Sequence, residues 1–458
     1  MLLFHTHVSH LIKSIVFISL SILTVLCHAK NSNYQLDHLA NLRHSELEDP
    51  QWLQLIPNPN NKNQYYIANK QGQLYLIDDG KLQTSPLLNL AAFSGNNYPD
   101  LQLTAIVLHP DFSFREQPGF ATFYTAHVTK SDTSKKTKRL EKRQTQIPYN
   151  HDAVLTEWRL HSVDYNKVAK TSQREILRIS LANPNKHIEQ LAFNPYKKSW
   201  NDNYGLLYLS LASDKQLAKF PLYSGTILRI KPNSFGRKNY TIPTTNPFLK
   251  NPDINDEIYL LAAPNIKQFI WPNKNNNNLF INHELNNQYL FTQTLLHQKT
   301  DSTKKNKTLA TANYSLSLLK YRGRNLSLLR KRLILLSSTN QEWQLSSMSL
   351  GEDNMANTPI EVEWKINSEK ISPNNIIKLF YDHNNELIIL DQTDKIMYSV
   401  NQVDDFSAVL QHESNTGPQI YSSNLLLIVV LLSLISFLIF ARLKPAKKSL
   451  SYLVRKNF

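Results

Sequence analysis

Between residues 52 and 400 the chain is a succession of short runs rich in Ile, Leu, Val, Tyr and Phe, each closed off by Asn, Asp, Pro or Gly. Tyr65–Ala68 and Leu74–Asp78 flank a turn at Lys70–Gln73, and Leu103–Leu108, Phe120–Ala126, Val154–Leu160 and Glu175–Ser180 follow. Gly205–Ser210, Thr226–Ile230, Glu257–Leu261 and Leu279–Ile281 continue the series. Runs of this length between turn formers read as strands. No long amphipathic helical pattern separates them, which disfavours a sheet built from βαβ units. The expected class is all-β. Residues 60–77 and 382–400 both read polar turn, strand, polar turn, strand, and each pair resembles the inner two strands of a propeller blade. A propeller protects its edges by bringing its first and last blades together. A pair of β-sandwiches is the alternative.

The two ends read as targeting and anchoring segments. Lys13 precedes an apolar run, Ser14–Cys27, that ends at Cys27-His28-Ala29, the order of a cleavable secretory signal over 1–29. His5, His7 and His10 would leave with it. Leu425–Ala441 is uncharged and, with Tyr421–Asn424, reaches the ~20 residues a membrane-spanning helix needs. Arg442, Lys444, Lys447, Lys448, Arg455 and Lys456 follow without an acid, so the tail 442–458 is expected on the cytoplasmic side. The main body, 30–410, is then extracytoplasmic, periplasmic in a bacterium, with 411–424 as a linker.

The net charge of +15 is concentrated in that tail and in the polar stretch Lys130–Arg143. A nucleic-acid footprint is a basic face along a folded element, so nucleic acid is not an expected partner. Cys27 is the only cysteine; the mature chain would hold neither disulfides nor a catalytic thiolate. No Walker loop, dinucleotide glycine loop, nucleophile elbow or HExxH helix is present. The acidic pairs Asp78-Asp79, Asp256-Glu257 and Asp404-Asp405 read as surface turns, because neighbours on a strand point to opposite faces.

A sequence of short phrases is more specific. Leu103–Phe112 followed by Phe120–Thr125 resembles the "GLAFHPDF … YVYYT" segment of the glucose/sorbosone dehydrogenase family. In the family's order come Glu175–Ile179, Gln190–Pro195 with Leu207-Tyr208, Ser224–Ile230 ("LGKILRI"), Ile242–Phe248 ("IPxDNPF") and Glu257–Asn265 ("EIYAYGxRNP"). The resemblance implies a six-bladed propeller that uses pyrroloquinoline quinone (PQQ) and calcium. Thr294–Ile371 has no counterpart in it.

The resemblance also implies a site. The family's general base, a histidine that takes a proton from the sugar hydroxyl, falls at Lys186 or, one residue on, at His187. A protonated lysine is a poor base, so His187 is the catalytic candidate. The quinone-contacting arginine falls on Pro264, and the asparagine beside it is kept as Asn265, the cofactor-binding candidate. A "GD" pair becomes Ala212-Ser213, with Asp214 displaced by one. The calcium and quinone loops after Leu279 have no counterpart, and His283 stands near an expected aspartate, so no metal ligand is assigned. Two functions follow: a quinone-dependent dehydrogenase of sugars or related alcohols with an eroded cofactor site, or a non-catalytic propeller binding a protein or glycan partner.

Overall fold

The computed structural model describes residues 34–94, 101–131, 150–161, 167–181, 183–212, 223, 225–261, 265–273, 278–285, 288–295, 307–312, 316–338, 342–350 and 360–403. The expected signal 1–29, most of the basic stretch 130–143, the linker, the apolar run 425–441 and the tail lie outside the described residues. Among the described residues no helix is long and apolar enough to cross a membrane. The described residues up to Gln402 belong to one compact unit.

Strand β1 (Tyr34–Asn41) comes first in the chain and is used last. The first blade is β2 (Trp52–Pro57), β3 (Gln64–Asn69) and β4 (Gln73–Asp78), with the two-residue strands β5 (Lys81–Leu82) and β6 (Leu88–Asn89) on the outer edge of β4. The second is β7 (Gln102–Leu108), β8 (Thr122–Lys130), β9 (His151–Arg159) and β10 (Arg174–Leu181); the third is β11 (Ile188–Phe193), β12 (Leu207–Leu211), β13 (Thr226–Ile230) and β14 (Ile258–Leu261). The fourth is β15 (Ile266–Ile270), β16 (Asn278–Leu285), β17 (Gln288–Leu295) and β18 (Lys307–Ala312); the fifth is β19 (Leu316–Lys320), β20 (Leu333–Ser338), β21 (Trp343–Met348) and β22 (Glu361–Ile366). The sixth takes β23 (Ile377–Tyr381), β24 (Leu387–Asp391) and β25 (Ile396–Gln402) and is completed by β1, antiparallel to β25 from Tyr34↔Gln402 to Asn41↔Ile396.

The first strands of the blades, β2, β7, β11, β15, β19 and β23, touch in sequence, and β23 returns to β2. The result is a closed six-bladed propeller around an axial channel. We call the face where these inner strands begin upper and the face where they end lower. The expected class, closure and blade number hold, with one correction. Tyr65–Asp78 and Leu387–Val400 are the middle two strands of their blades, not the inner two. Inner strands such as β2 and β23 escaped notice because they border the channel and carry polar residues there, such as Gln54 and Lys378. The unplaced stretch 294–371 finishes the fourth blade and makes the whole of the fifth.

Near-continuous burial along β3 and β4 has a simple cause: both faces of each blade pack on a neighbour. Tyr66 and Ala68 join the cluster shared with the second blade, including Ile106, Phe123 and Trp158. Tyr65 and Ile67, on the other face, join Ile388, Leu390 and Met397 of the sixth. All six apolar clusters lie between adjacent blades in this way. Among the described residues no blade holds a core of its own, so the ring is built as a unit.

Inner strands are also stapled by side chains. Gln190 Oε1 accepts from the Phe269 N–H at 2.6 Å while its Nε2 donates to the Phe269 carbonyl at 3.2 Å. Gln268 repeats both bonds on Leu318 at 2.9 and 2.8 Å. Ser317 Oγ accepts from Leu379 N–H at 3.1 Å, and Gln54 Oε1 from Ile106 N–H at 3.3 Å. Equivalent side chains thus satisfy the next blade's free inner-edge backbone. By this register Lys378 holds the glutamine position of the sixth blade. Just above it, β2, β7, β11 and β15 each carry a β-bulge, with Glu189 and Lys267 as the extra residues in β11 and β15. A bulge re-aims its side chain, and here it sets two charges at the upper mouth.

Candidate functional site

His187 immediately precedes β11 and Asn265 immediately precedes β15. Both sit at the upper mouth, on neighbouring blades. The His187 carbonyl accepts from Ala212 N–H at 3.1 Å, so the buried Ala212 fixes the backbone beneath the ring. His187 Nδ1 lies 2.9 Å from the Pro184 carbonyl. A carbonyl only accepts, so the proton of the neutral ring sits on Nδ1 and Nε2 keeps its lone pair. Nε2 is 3.8 Å from Glu189 Oε2.

A line of polar contacts runs on from there. Lys267 Nζ donates to Glu189 Oε1 at 2.7 Å and lies 3.9 Å from Glu284 Oε2. That same Glu284 oxygen accepts from Asn265 Nδ2 at 2.7 Å. Asn265 holds a left-handed backbone, φ 54°, which asparagine tolerates better than most residues. Its carbonyl accepts from Glu284 N–H at 3.1 Å, while its buried Oδ1 has no hydrogen-bond donor among the described residues. The two candidates are thus joined through Glu189, Lys267 and Glu284, none of which was singled out from sequence.

Lys378 faces this cluster across the channel. Burial pushes its ammonium down to about 8, with Lys70 and Lys267 lowering it further and Glu189 opposing them. Neither Lys378 nor Lys70 has a carboxylate partner among the described residues. The mouth therefore carries more positive than negative charge. His283, on β16 opposite Ile266, is buried beside Glu284, and burial lowers its pKa. Its Nδ1 has no hydrogen-bond partner among the described residues. Lys186 sits in the turn before His187, its N–H bonded to Asn183 O at 3.0 Å. Pro264 and Asp214 lie outside the described residues.

Among the described residues no group of three or more His, Cys, Asp and Glu side chains is placed to hold a metal ion. At the other end of the channel a cavity of about 810 Å³ opens on the lower face, walled by Ile56, Val107, Ile270 and Phe380 and rimmed by Arg322. Arg322 lies over the Tyr196 ring at 4.8 Å.

No family model and no curated protein matches the sequence. Solved structures do. A glucose dehydrogenase superposes with a TM-score of 0.55 at 14% identity, over 81% of this chain and 100% of the other. The PQQ-bound form of an aldose sugar dehydrogenase from Streptomyces coelicolor gives 0.53 at 12% identity, over 81% and 99%. The fold is that of the sugar dehydrogenases. At such identities the likeness establishes architecture, and the chemistry must be argued from the mouth itself.

Proposed function

We propose that this chain is an extracytoplasmic, membrane-anchored propeller of the quinone-dependent sugar-dehydrogenase type. Its ligands would meet at the upper mouth between His187 and Asn265. The observation that carries the site is the line His187–Glu189–Lys267–Glu284–Asn265 across β11, β15 and β16 of two adjacent blades.

The mouth suits one part of the relatives' cofactor and not another. PQQ is an aromatic tricarboxylate, and Lys378 and Lys70 are cations without a carboxylate partner among the described residues, so either would hold a carboxylate with a charge-assisted hydrogen bond. The Asn265 Oδ1 would accept a donor from the ring system. Calcium fits poorly, since no cluster of ligating side chains stands there among the described residues, and no step is assigned to it. When bound, the quinone supplies a two-electron acceptor for hydride from a carbinol carbon. His187 Nε2 is oriented to take the hydroxyl proton, and Glu189 would stabilise the resulting imidazolium.

The test is PQQ-dependent dye reduction with a panel of aldoses, in the full chain and in His187→Gln. Removing a general base costs ~10²–10⁴-fold in rate, so the variant should be silent while its melting curve is unchanged. Equal activity in both proteins would remove His187 from the reaction. The lack of a metal-ligating cluster among the described residues fits a second reading, a non-catalytic propeller that binds a protein or glycan partner. Quinone binding without turnover on any aldose would decide for that reading.

A further inference from the structure

The lower face carries no part of the site above, yet it is the most unusual surface of the molecule. Six large hydrophobic side chains are exposed among the described residues, and three are aromatic: Phe114 at 57%, Trp200 at 79% and Phe235 at 70%. All three belong to lower-face loops of the second and third blades. Phe114 follows β7, Trp200 follows β11, and Phe235 sits at the tip of the arm Lys231–Thr241 after β13. These loops touch: Tyr204 donates to Asp111, and Thr245 Oγ1 donates to Asn203 at 3.2 Å. Exposed aromatic rings gathered on one face mark an interaction surface.

The charges around them narrow the partner. Arg115, Lys198, Arg237 and Lys238 flank the three rings and are exposed, and they outnumber the neighbouring exposed acids Glu116 and Asp202. Across the same face the loop Tyr321–Arg332, which joins β19 to β20, reads YRGRNLSLLRKR and contains no acid. Its Arg322, Arg324, Arg330 and Lys331 are exposed. Aromatic rings beside a spread of cations match the interfacial zone of a bilayer that carries anionic headgroups, where rings sit at headgroup depth and cations meet the phosphates.

The path of the chain gives independent support. β25 runs parallel to the inner strand β23, so Gln402 leaves the propeller at the lower face. Only residues 403–424 separate it from the apolar run beginning at Leu425. A stretch of that length reaches at most about 75 Å even fully extended, which holds this face within reach of a membrane that anchors the run.

We infer that the lower face is a bilayer-docking surface. Phe114, Trp200 and Phe235 enter the interface while the Arg322–Lys331 loop meets anionic headgroups, leaving the upper mouth open to the aqueous side. This rests on the reading of 425–441 as an anchor, and the test separates the two. The propeller closes through its own β1 and shares all six cores within 34–402, so segment 30–410 can be assayed without the anchor. It should cosediment with phosphatidylcholine–phosphatidylglycerol vesicles and not with phosphatidylcholine alone, with binding lost at high salt. The triple variant Phe114→Ser, Trp200→Ser, Phe235→Ser and the double variant Arg324→Ser, Lys331→Ser alter only exposed side chains. Each should weaken partitioning about tenfold or more with an unchanged melting curve. No binding of wild-type segment at low salt, or equal binding by both variants, would overturn the proposal. Carbonate extraction of the full chain from membranes tests the anchor separately. A chain that extracts while its segment still binds anionic vesicles would refute the anchor and leave the docking face standing.

Discussion

Lys378 shows how position alone changes a side chain. In the register of the staples it stands where Gln190 and Gln268 stand, but it has no carboxylate partner among the described residues and faces Lys70 and Lys267. Its folded pKa, about 8, lies below the ordinary lysine value of 10.5. Between those two values the unfolded chain binds more protons than the folded one, so stability rises with pH across that window. Thermal melts from pH 7.5 to 10.5 should show the rise in wild type and a shallower one in Lys378→Met. An anion bound beside it would raise the pKa again, so binding near pH 8.5 should take up protons, measurable by calorimetry in buffers of differing ionisation enthalpy.

The phrases that carried the family resemblance prove to be scaffold ties, which is why the fold was legible where the site was not. Asp111 N–H donates to His109 Nδ1 at 3.0 Å and forms the turn after β7. Gly119 lies so close that a Cβ there would stand 1.8 Å from His109 Nδ1. Gly119→Ala should therefore destabilise by about 1–3 kcal/mol through overpacking, read from denaturant unfolding. Arg229 Nε donates to Asn246 Oδ1 at 2.6 Å, linking two matched phrases, and the third, at Glu257, accepts from Tyr240 at 2.7 Å and Tyr223 at 3.2 Å. Residues that hold loops together keep their spacing. Glu189 and Lys267 gave no such signal, because their placement depends on two bulges that no local pattern announces.

At the scale of the strand, the channel side chains bind blade to blade. Gln190→Ala removes the partner of a part-buried backbone pair at Phe269. Leaving those groups unpaired should cost about 1–3 kcal/mol. Gln190→Glu should cost more, since a carboxylate cannot donate to the Phe269 carbonyl. Equilibrium unfolding in urea checks both, and the expected unfolding stays a single transition because the cores are shared. Sequence reading found the middle strands readily, since Tyr65–Ala68 or Leu387–Leu390 are apolar throughout. It missed inner strands such as Ile377–Tyr381, where channel-facing polar residues interrupt the run. The fifth blade went unread because none of the matched phrases falls in it and its inner run Leu316–Lys320 is interrupted by Ser317 and Lys320, although Leu333–Leu336 is as apolar as Leu387–Leu390.

The whole molecule depends on a closure that joins its two ends. β1 supplies the outer strand of the sixth blade, and Tyr34 and Leu36 enter the core shared with the fifth. Deleting residues 34–42 should expose the edge of β25, invite edge-to-edge association, and replace a cooperative melt by aggregation at lower temperature. Light scattering during the melt would show it. An intact cooperative melt in the deletion would mean that β1 is dispensable to the ring. Closure also holds the channel mouth in shape, because the line from His187 to Asn265 through Glu189, Lys267 and Glu284 forms only if the third and fourth blades are locked side by side.

The most direct test of that mouth is the melting temperature of the full chain with and without PQQ, repeated for Asn265→Ala and Lys378→Met. A ligand that binds only the native state at a hundredfold its Kd adds about 2.7 kcal/mol. The account predicts a clear upward shift in wild type, insensitive to calcium chelation and diminished in both variants. An unshifted melt, or a shift equal in all three proteins, would contradict the placement of a quinone at the His187–Asn265 mouth.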